Sequence, residues 1–475
     1  MRVSEHYRLG RGQGELDFVD VDVRGDTPLY LDPRALRLLT TEWGQECVSL
    51  IQHFFRAVLA AIRQGRDDDS KRLLSGLREP NETHLGLSRD RARGSALGPA
   101  LAVDVWEALS ETDAATSGML QDLEETALLV PGIDKDRVSD ISTNIIREQL
   151  IEYTQAAAEH YAIPLADGVD SGPLWNPAAQ RWHSRFERLP VATEGKLLLV
   201  PKAIVRKKLD YSGSEYFNHY LLTYLQDVEL KAGSELVRLL RSGQRRPPTK
   251  KSLKAKYGSD KPSIARLTRE HPEALENYRS AKRNHWKPPL EHEDFFTEGV
   301  GVLPDLGQLL ADVRSISAGR VTADKYHQAV EKLLTALLYP ALSLPQVEYP
   351  IHDGRKRIDI SYSNIAERGF FAWIGAHYPS ALIFVECKNY QGDPKNPELD
   401  QLTGRFSPRR GRVGLLVCRT IEDREAMASR CRDAADDDRG YVIALDDSDL
   451  ATLVEQLTNT RQLKLLRERF EALIA

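Results

Sequence analysis

The run Ala381-Leu-Ile-Phe-Val-Glu-Cys-Lys-Asn389 constrains the fold of this chain more than any other stretch. Five consecutive apolar residues give way abruptly to charge at Glu386, which marks a short strand buried on both faces and opening at its far end. Side chains alternate along a strand, so Glu386 and Lys388 share one face while Cys387 points to the other. Two further apolar runs, Gly414–Cys418 and Tyr441–Leu445, alternate with helical patterns near 398–405 and 421–435. Strand, helix, strand, helix predicts an α/β sandwich about a mixed sheet. Upstream, Gly354-Arg-Lys-Arg-Ile-Asp-Ile360 is β-like and carries Asp359. Before it, the amphipathic stretch Tyr326–Leu338 predicts a helix bearing Glu331.

A helix Glu, a strand Asp and a Glu-x-Lys, in that order, resemble the PD-(D/E)XK, or restriction-endonuclease-like, nucleases. Within that superfamily the chain looks most like the Mrr-type and Shedu-like defence nucleases, over roughly residues 305 to 460. The resemblance implies a restriction-endonuclease-like domain that hydrolyses phosphodiesters, most simply as an endodeoxyribonuclease acting on foreign DNA such as phage. It implies Asp359, Glu386 and the backbone carbonyl of Cys387 as ligands of Mg²⁺, with Mn²⁺ as a substitute. Lys388 would position the attacking water, and Glu331 would be an auxiliary acid. Two positions depart from the family pattern: Ile358 stands where a Pro usually precedes the Asp, and Arg405 follows Gln401 where some branches carry a Tyr.

The short pattern alone has little meaning, since it recurs at Asp69-Ser-Lys71, Glu194-Gly-Lys196, Glu229-Leu-Lys231 and Asp393-Pro-Lys395. Only the copy at Glu386 ends an apolar strand and follows both an Asp-bearing strand and a Glu-bearing helix. Read without the resemblance, Glu386 and Lys388 are a strand-end ion pair and Asp359 a turn residue. The chemistry suits the residue types, because Mg²⁺ takes oxygen ligands and keeps several waters. A preplaced ammonium can offset charge that develops on a phosphate. Gln401, Arg405, Arg409, Arg410 and Arg412 follow the strand and read as phosphate contacts.

At 475 residues the chain exceeds one ordinary core. The sequence divides into a mainly helical segment with a small β element (1–165), an α+β segment (166–235), a basic segment (236–300) and the nuclease-like segment (301–475). Net charge is −5, so any contact with a polyanion depends on local patches. The basic segment supplies one, from Arg238 through Lys250, Lys251 and Lys254 to Lys287, and reads either as a phosphate-binding surface or as a solvated linker. Four cysteines without CxxC spacing predict a reduced, cytoplasmic chain without zinc sites. No apolar run reaches the length of a membrane span.

Five local expectations precede the basic segment. Leu16–Val23 alternates and predicts a strand with an exposed acidic face that includes Asp20 and Asp22. A core helix is predicted over 46–64. The polar stretch Arg78–Gly94 predicts a loop in which Glu82 and His84 form either an ordinary pair or a catalytic one, with Arg89, Arg91 and Arg93 available to phosphate. Asp167–Pro173 predicts a linker, and the aromatic stripe Tyr211, Tyr216, Phe217, Tyr220 and Tyr224 predicts core packing more than base stacking. The expected partners are DNA, a further copy of the chain, and a protein or phage-derived trigger. The rival expectation is a nucleic-acid-binding or assembly protein whose nuclease-like domain is catalytically silent.

Overall fold

The computed structural model describes residues 1–39, 41–86, 98–242, 244–351 and 356–475. Arg89, Arg91 and Arg93 lie outside the described residues. The chain is mixed α/β, with two large apolar cores. One runs from Val3 to Val300 and also takes in Tyr339 and Ile365, and the other runs from Leu309 to Leu473.

The first core is built mainly from helices. Glu42–Arg63 is the longest, starting where Thr41 Oγ1 accepts from Gly44 N at 3.2 Å. Its Cys47, Ile51, Phe54, Phe55 and Val58 are buried at helical spacing. The expected strand at Leu16–Val23 is instead an extended segment with isolated bridges, Phe18 to Pro201 and Arg2 to Asp22. Its acids do not form one exposed face. Asp20 is buried and accepts from Ser4 N at 2.8 Å and Ser4 Oγ at 2.6 Å, while Asp17 is buried on the other side. Alternation was produced by acids binding backbone and hydroxyl groups inside the protein, a pattern that periodicity cannot separate from a solvated face. The expected linker also proves ordered, since Ala166–Asp170 pairs antiparallel with Phe186–Leu189.

The aromatic stripe packs inward, as its spacing predicts. Tyr211, Tyr216 and Phe217 are buried, and Tyr211, Tyr216 and Tyr220 surround the Tyr278 ring at centroid distances of 5.2, 5.4 and 4.8 Å. Beyond it, the basic segment is not a solvated linker. It forms a hairpin, Arg238–Leu239 against Arg245–Arg246, and then the helices Lys250–Tyr257, Lys261–Glu270 and Pro272–Asn284, with Leu253, Ile264, Leu275 and Tyr278 in the first core.

The C-terminal unit begins with α1 (Leu306–Ser315) and α2 (Ala323–Leu338), then β1 (Leu342–Ile351), β2 (Lys356–Asn364), α3 (Gly369–His377) and β3 (Leu382–Lys388). It continues through α4 (Asn396–Thr403), β4 (Val413–Cys418), α5 (Arg424–Asp436), β5 (Tyr441–Leu445), α6 (Asp447–Thr460) and α7 (Lys464–Glu471). The strands lie in the order β1-β2-β3-β4-β5. Strand β2 is antiparallel to both β1 and β3, and β3, β4 and β5 are parallel, giving a mixed sheet. Tyr362 on β2 lies opposite Ile383 on β3, and Ser361 opposite Phe384. One face therefore carries Tyr362, Ile383, Val385 and Cys387, and the other Asp359, Ser361, Phe384, Glu386 and Lys388. Tyr362 Oη meets Thr335 Oγ1 of α2 at 2.9 Å, whereas Lys388 Nζ donates to Gln401 Oε1 of α4 at 3.2 Å. The helices α2 and α4 thus cover opposite faces.

Candidate functional site

The register between β2 and β3 pairs Ile360 with Val385, so the next residues outward, Asp359 and Glu386, stand side by side at the end of the sheet. Asp359 Oδ2 accepts from the Cys387 backbone N at 2.9 Å, which fixes its carboxylate against β3. Glu386 is wholly buried, and both its oxygens are taken: Lys388 Nζ donates to Oε1 at 2.8 Å, and Arg405 forms a close ion pair with Oε2. Burial and the neighbouring Asp359 push the Glu386 carboxyl above its usual range, while Lys388 and Arg405 oppose that rise. Two carboxylates and two cations make the cluster electroneutral as it stands.

The floor of the cluster is apolar. Phe384 stacks on Phe406 with centroids 5.9 Å apart, and Gly414 on β4 makes room for this, because a Cβ there would lie 3.0 Å from the Phe406 ring. At the far end of β3, Asn389 is buried and its amide donates to Ser317 O, Gly319 O and Thr322 Oγ1. It ties the strand end to the loop between α1 and α2, so the backbone that carries Glu386 and Lys388 is held from both sides.

Asp359, Glu386 and Lys388 come together, and Gln401 joins them through Lys388. Glu331 does not. It lies on α2, on the opposite face of the sheet, 1% exposed, where Arg11 Nη1 reaches its Oε2 at 2.6 Å and His160 Nε2 its Oε1 at 3.4 Å. Burial alone would raise its pKa, but His160 and the Arg11 guanidinium hold it below the usual carboxylate range. Helical periodicity predicted the helix that bears Glu331, and α2 is that helix. The partners of Glu331 lie in another part of the chain, with no local spacing to announce them.

The arginines after β3 divide by what they touch. Arg405 is buried on Glu386 and Arg410 donates to the Arg405 carbonyl at 3.2 Å, so neither reaches outward freely. Arg412 pairs with Asp438 at 2.8 Å, and Arg409 is exposed. In the basic segment, Lys250 Nζ donates to the Asn218 carbonyl at 2.6 Å and Lys254 lies over the Phe217 ring at 5.4 Å, while Lys251 is exposed. Glu82 pairs with Arg147, and His84 is buried, which pushes its pKa down. No hydrogen bond joins Glu82 to His84 among the described residues, so the two form neither the ordinary pair nor the catalytic one.

Among the described residues, no three His, Cys, Asp or Glu side chains converge as a metal-holding group. The donors that do meet are hard oxygens, those of Asp359 and Glu386, and their mutual repulsion is the kind that a divalent cation relieves. Such a cation fits here if Arg405 gives up Glu386 Oε2. No helix among the described residues is long and apolar enough to cross a membrane.

The fold and the cluster define a mixed α/β protein with an acid–lysine cluster at the end of a five-stranded sheet. A family model described as a domain of unknown function, DUF8370, matches residues 8–212, which lie within the first core and before the sheet. No curated protein and no solved structure matches the chain.

Proposed function

We propose that the C-terminal unit is a restriction-endonuclease-like nuclease that hydrolyses DNA phosphodiesters with Mg²⁺, in defence against foreign DNA such as phage. The first core would serve sensing, targeting or assembly. The observation that carries the reading is the meeting of Asp359, Glu386 and Lys388 on one face at one end of the mixed sheet. Asp359, Glu386 and the Cys387 carbonyl would hold the ion, which would supply Lewis-acid polarisation of a phosphate oxygen and a more acidic bound water. Lys388 is the movable cation of the cluster. Its side chain is 18% exposed, so its ammonium can turn from Glu386 to a phosphate oxygen or a water and offset charge there. The Phe384–Phe406 floor keeps water from the back of the cluster and strengthens each of these interactions.

One observation favours the rival reading of a silent domain. With Arg405 on Glu386 Oε2, the cluster balances its charge without any ion. A cleavage assay with Mg²⁺ or Mn²⁺ on duplex DNA, single-stranded DNA and RNA decides between the two. Cleavage by the full chain that Lys388→Ala and Asp359→Ala abolish supports the nuclease. Binding of nucleic acid without cleavage by the unsubstituted chain, in either metal, supports the silent domain.

A further inference from the structure

The cations of the basic segment are not alike once folded. Arg279 donates to both oxygens of Glu125, Lys282 pairs with Asp210 and Glu215, Arg283 with Glu276, and Lys256 with Glu229. Lys287 is spent on the Leu209 carbonyl at 2.6 Å. In the hairpin, as at the exposed Lys251, the cations stand in the open. Arg238, Arg241, Arg245 and Arg246 are all exposed, and none pairs with a carboxylate among the described residues.

Its register makes this costly. Arg238 lies directly opposite Arg246, and like charges facing each other across a strand pair destabilise it. Leu239, opposite Arg245, is 73% exposed, and Leu240 is 41% exposed. Both strands are exposed at every position, yet the hairpin is anchored at its base. Gln226 Nε2 donates to the Pro248 carbonyl at 2.6 Å, and Pro247-Pro248 stiffens the exit. A projecting two-stranded ribbon with unneutralised arginines on both strands and an apolar residue between them lacks an internal purpose.

We propose that the Arg238–Arg246 hairpin is a docking element for duplex DNA, separate from the cluster at Glu386. A two-stranded ribbon fits the major groove of B-form DNA, where arginines bridge phosphates or guanine edges and an apolar side chain meets thymine methyl groups. The deep, narrow major groove of A-form RNA does not admit it. The repulsion between Arg238 and Arg246 is relieved when each faces a phosphate. The choice of DNA as the polyanion rests on the function proposed above, whereas the charge argument stands without it.

The test uses the full chain in EDTA, so that binding is read without cleavage. Fluorescence anisotropy on a labelled 30-base-pair duplex gives affinity against salt, with vesicles of anionic lipid as the competing arm. Replacing Arg238, Arg241, Arg245 and Arg246 with Ala is expected to lower the slope of log affinity against log salt by about 3 to 4, near 0.9 for each lost phosphate contact. The paired variant Arg283→Ala with Lys256→Ala should leave the slope unchanged. Leu239→Ala with Leu240→Ala should weaken binding and leave the slope in place. If circular dichroism shows that the fourfold variant does not fold, the single variants Arg241→Ala and Arg245→Ala are each expected to lower the slope by about 1. An unchanged slope in the arginine variants, no binding of duplex by the unsubstituted chain, or hairpin-dependent binding of vesicles but not of DNA overturns the proposal. Cleavage enters none of these readings, so a failure here leaves the nuclease reading untouched.

Discussion

At the scale of single residues, Glu386 carries the most consequence, because it is buried with both oxygens paired. Removing Lys388 leaves it one cation, and removing Arg405 leaves it the other, but the two changes are not equivalent. Lys388 is partly exposed at a strand end, so Lys388→Ala should cost about 1 kcal/mol or less in urea unfolding. In the cleavage assay the same change should cost at least about a hundredfold, the scale of one preplaced charge-stabilising donor. Arg405 is 8% exposed, and its loss leaves a buried carboxylate short of a partner. Arg405→Ala should therefore cost on the order of 3 kcal/mol and raise the Glu386 pKa further. A stable Arg405→Ala protein with the same unfolding midpoint would show that the pair contributes little to the fold.

At the scale of elements, three strands of the sheet were readable because each contains a continuous apolar run. The segments Leu382–Val385, Gly414–Cys418 and Tyr441–Leu445 all fall in observed strands, and the stretch around Glu331 falls in α2. The strand β1 was not read, since Leu342–Ile351 contains Pro345 and Pro350 and has no clean alternation. Leu16–Val23 misled in the opposite direction, with a strict period and no ladder. The pairing of Asp359, Glu386 and Lys388 was legible because it is local to two neighbouring strands. The engagement of Glu386 by Arg405 was not, because an Arg in the loop after α4 reads as a surface cation until the chain turn is known.

The short helix His292–Thr297 supports a prediction about pH. His292 packs beside Tyr339, with ring centroids 5.3 Å apart, and its Nε2 lies 2.9 Å from the Ala336 carbonyl at the end of α2. Burial holds its pKa down at about 4, below the usual 6.5. Between those values the unfolded chain binds the proton that the folded chain excludes. The contribution is thus complete above pH 6.5 and is lost as pH falls toward 4. The full loss is on the order of 3 kcal/mol. Chemical unfolding of the natural chain and of His292→Gln at a series of pH values checks this: the natural chain should lose more stability across that window, and parallel curves would refute the assignment.

At the scale of the whole molecule, the two cores meet through buried polar contacts as well as through apolar ones at Tyr339 and Ile365. Arg11 and His160 hold Glu331, and Asp17 accepts from Ser343 Oγ at 2.9 Å and Leu344 N at 2.8 Å. Lys202 lies 3.9 Å from the Tyr339 ring centroid, and burial brings its pKa down to about 8. Such contacts are unforgiving, since removing one partner strands a buried charge. Glu331→Gln should cost on the order of 3 kcal/mol, with no direct effect on the cluster across the sheet. A fragment that starts near Val302 loses Arg11, Asp17, His160 and Lys202 together. It should unfold at a lower temperature than the C-terminal unit does within the full chain, and differ from it in activity or substrate range. Calorimetry beside a cleavage comparison checks both, and equal melting and equal cleavage would make the first core a passenger.

These contacts also set a schedule. Lys332 donates to the Gly10 carbonyl across 322 residues of chain, and Arg11, Asp17 and Lys202 all await partners beyond residue 330. At ordinary ribosomal speeds the wait for the earliest of them is roughly 15 to 60 seconds. Throughout it the nascent chain carries a half-built polar face that only its own last third can cover.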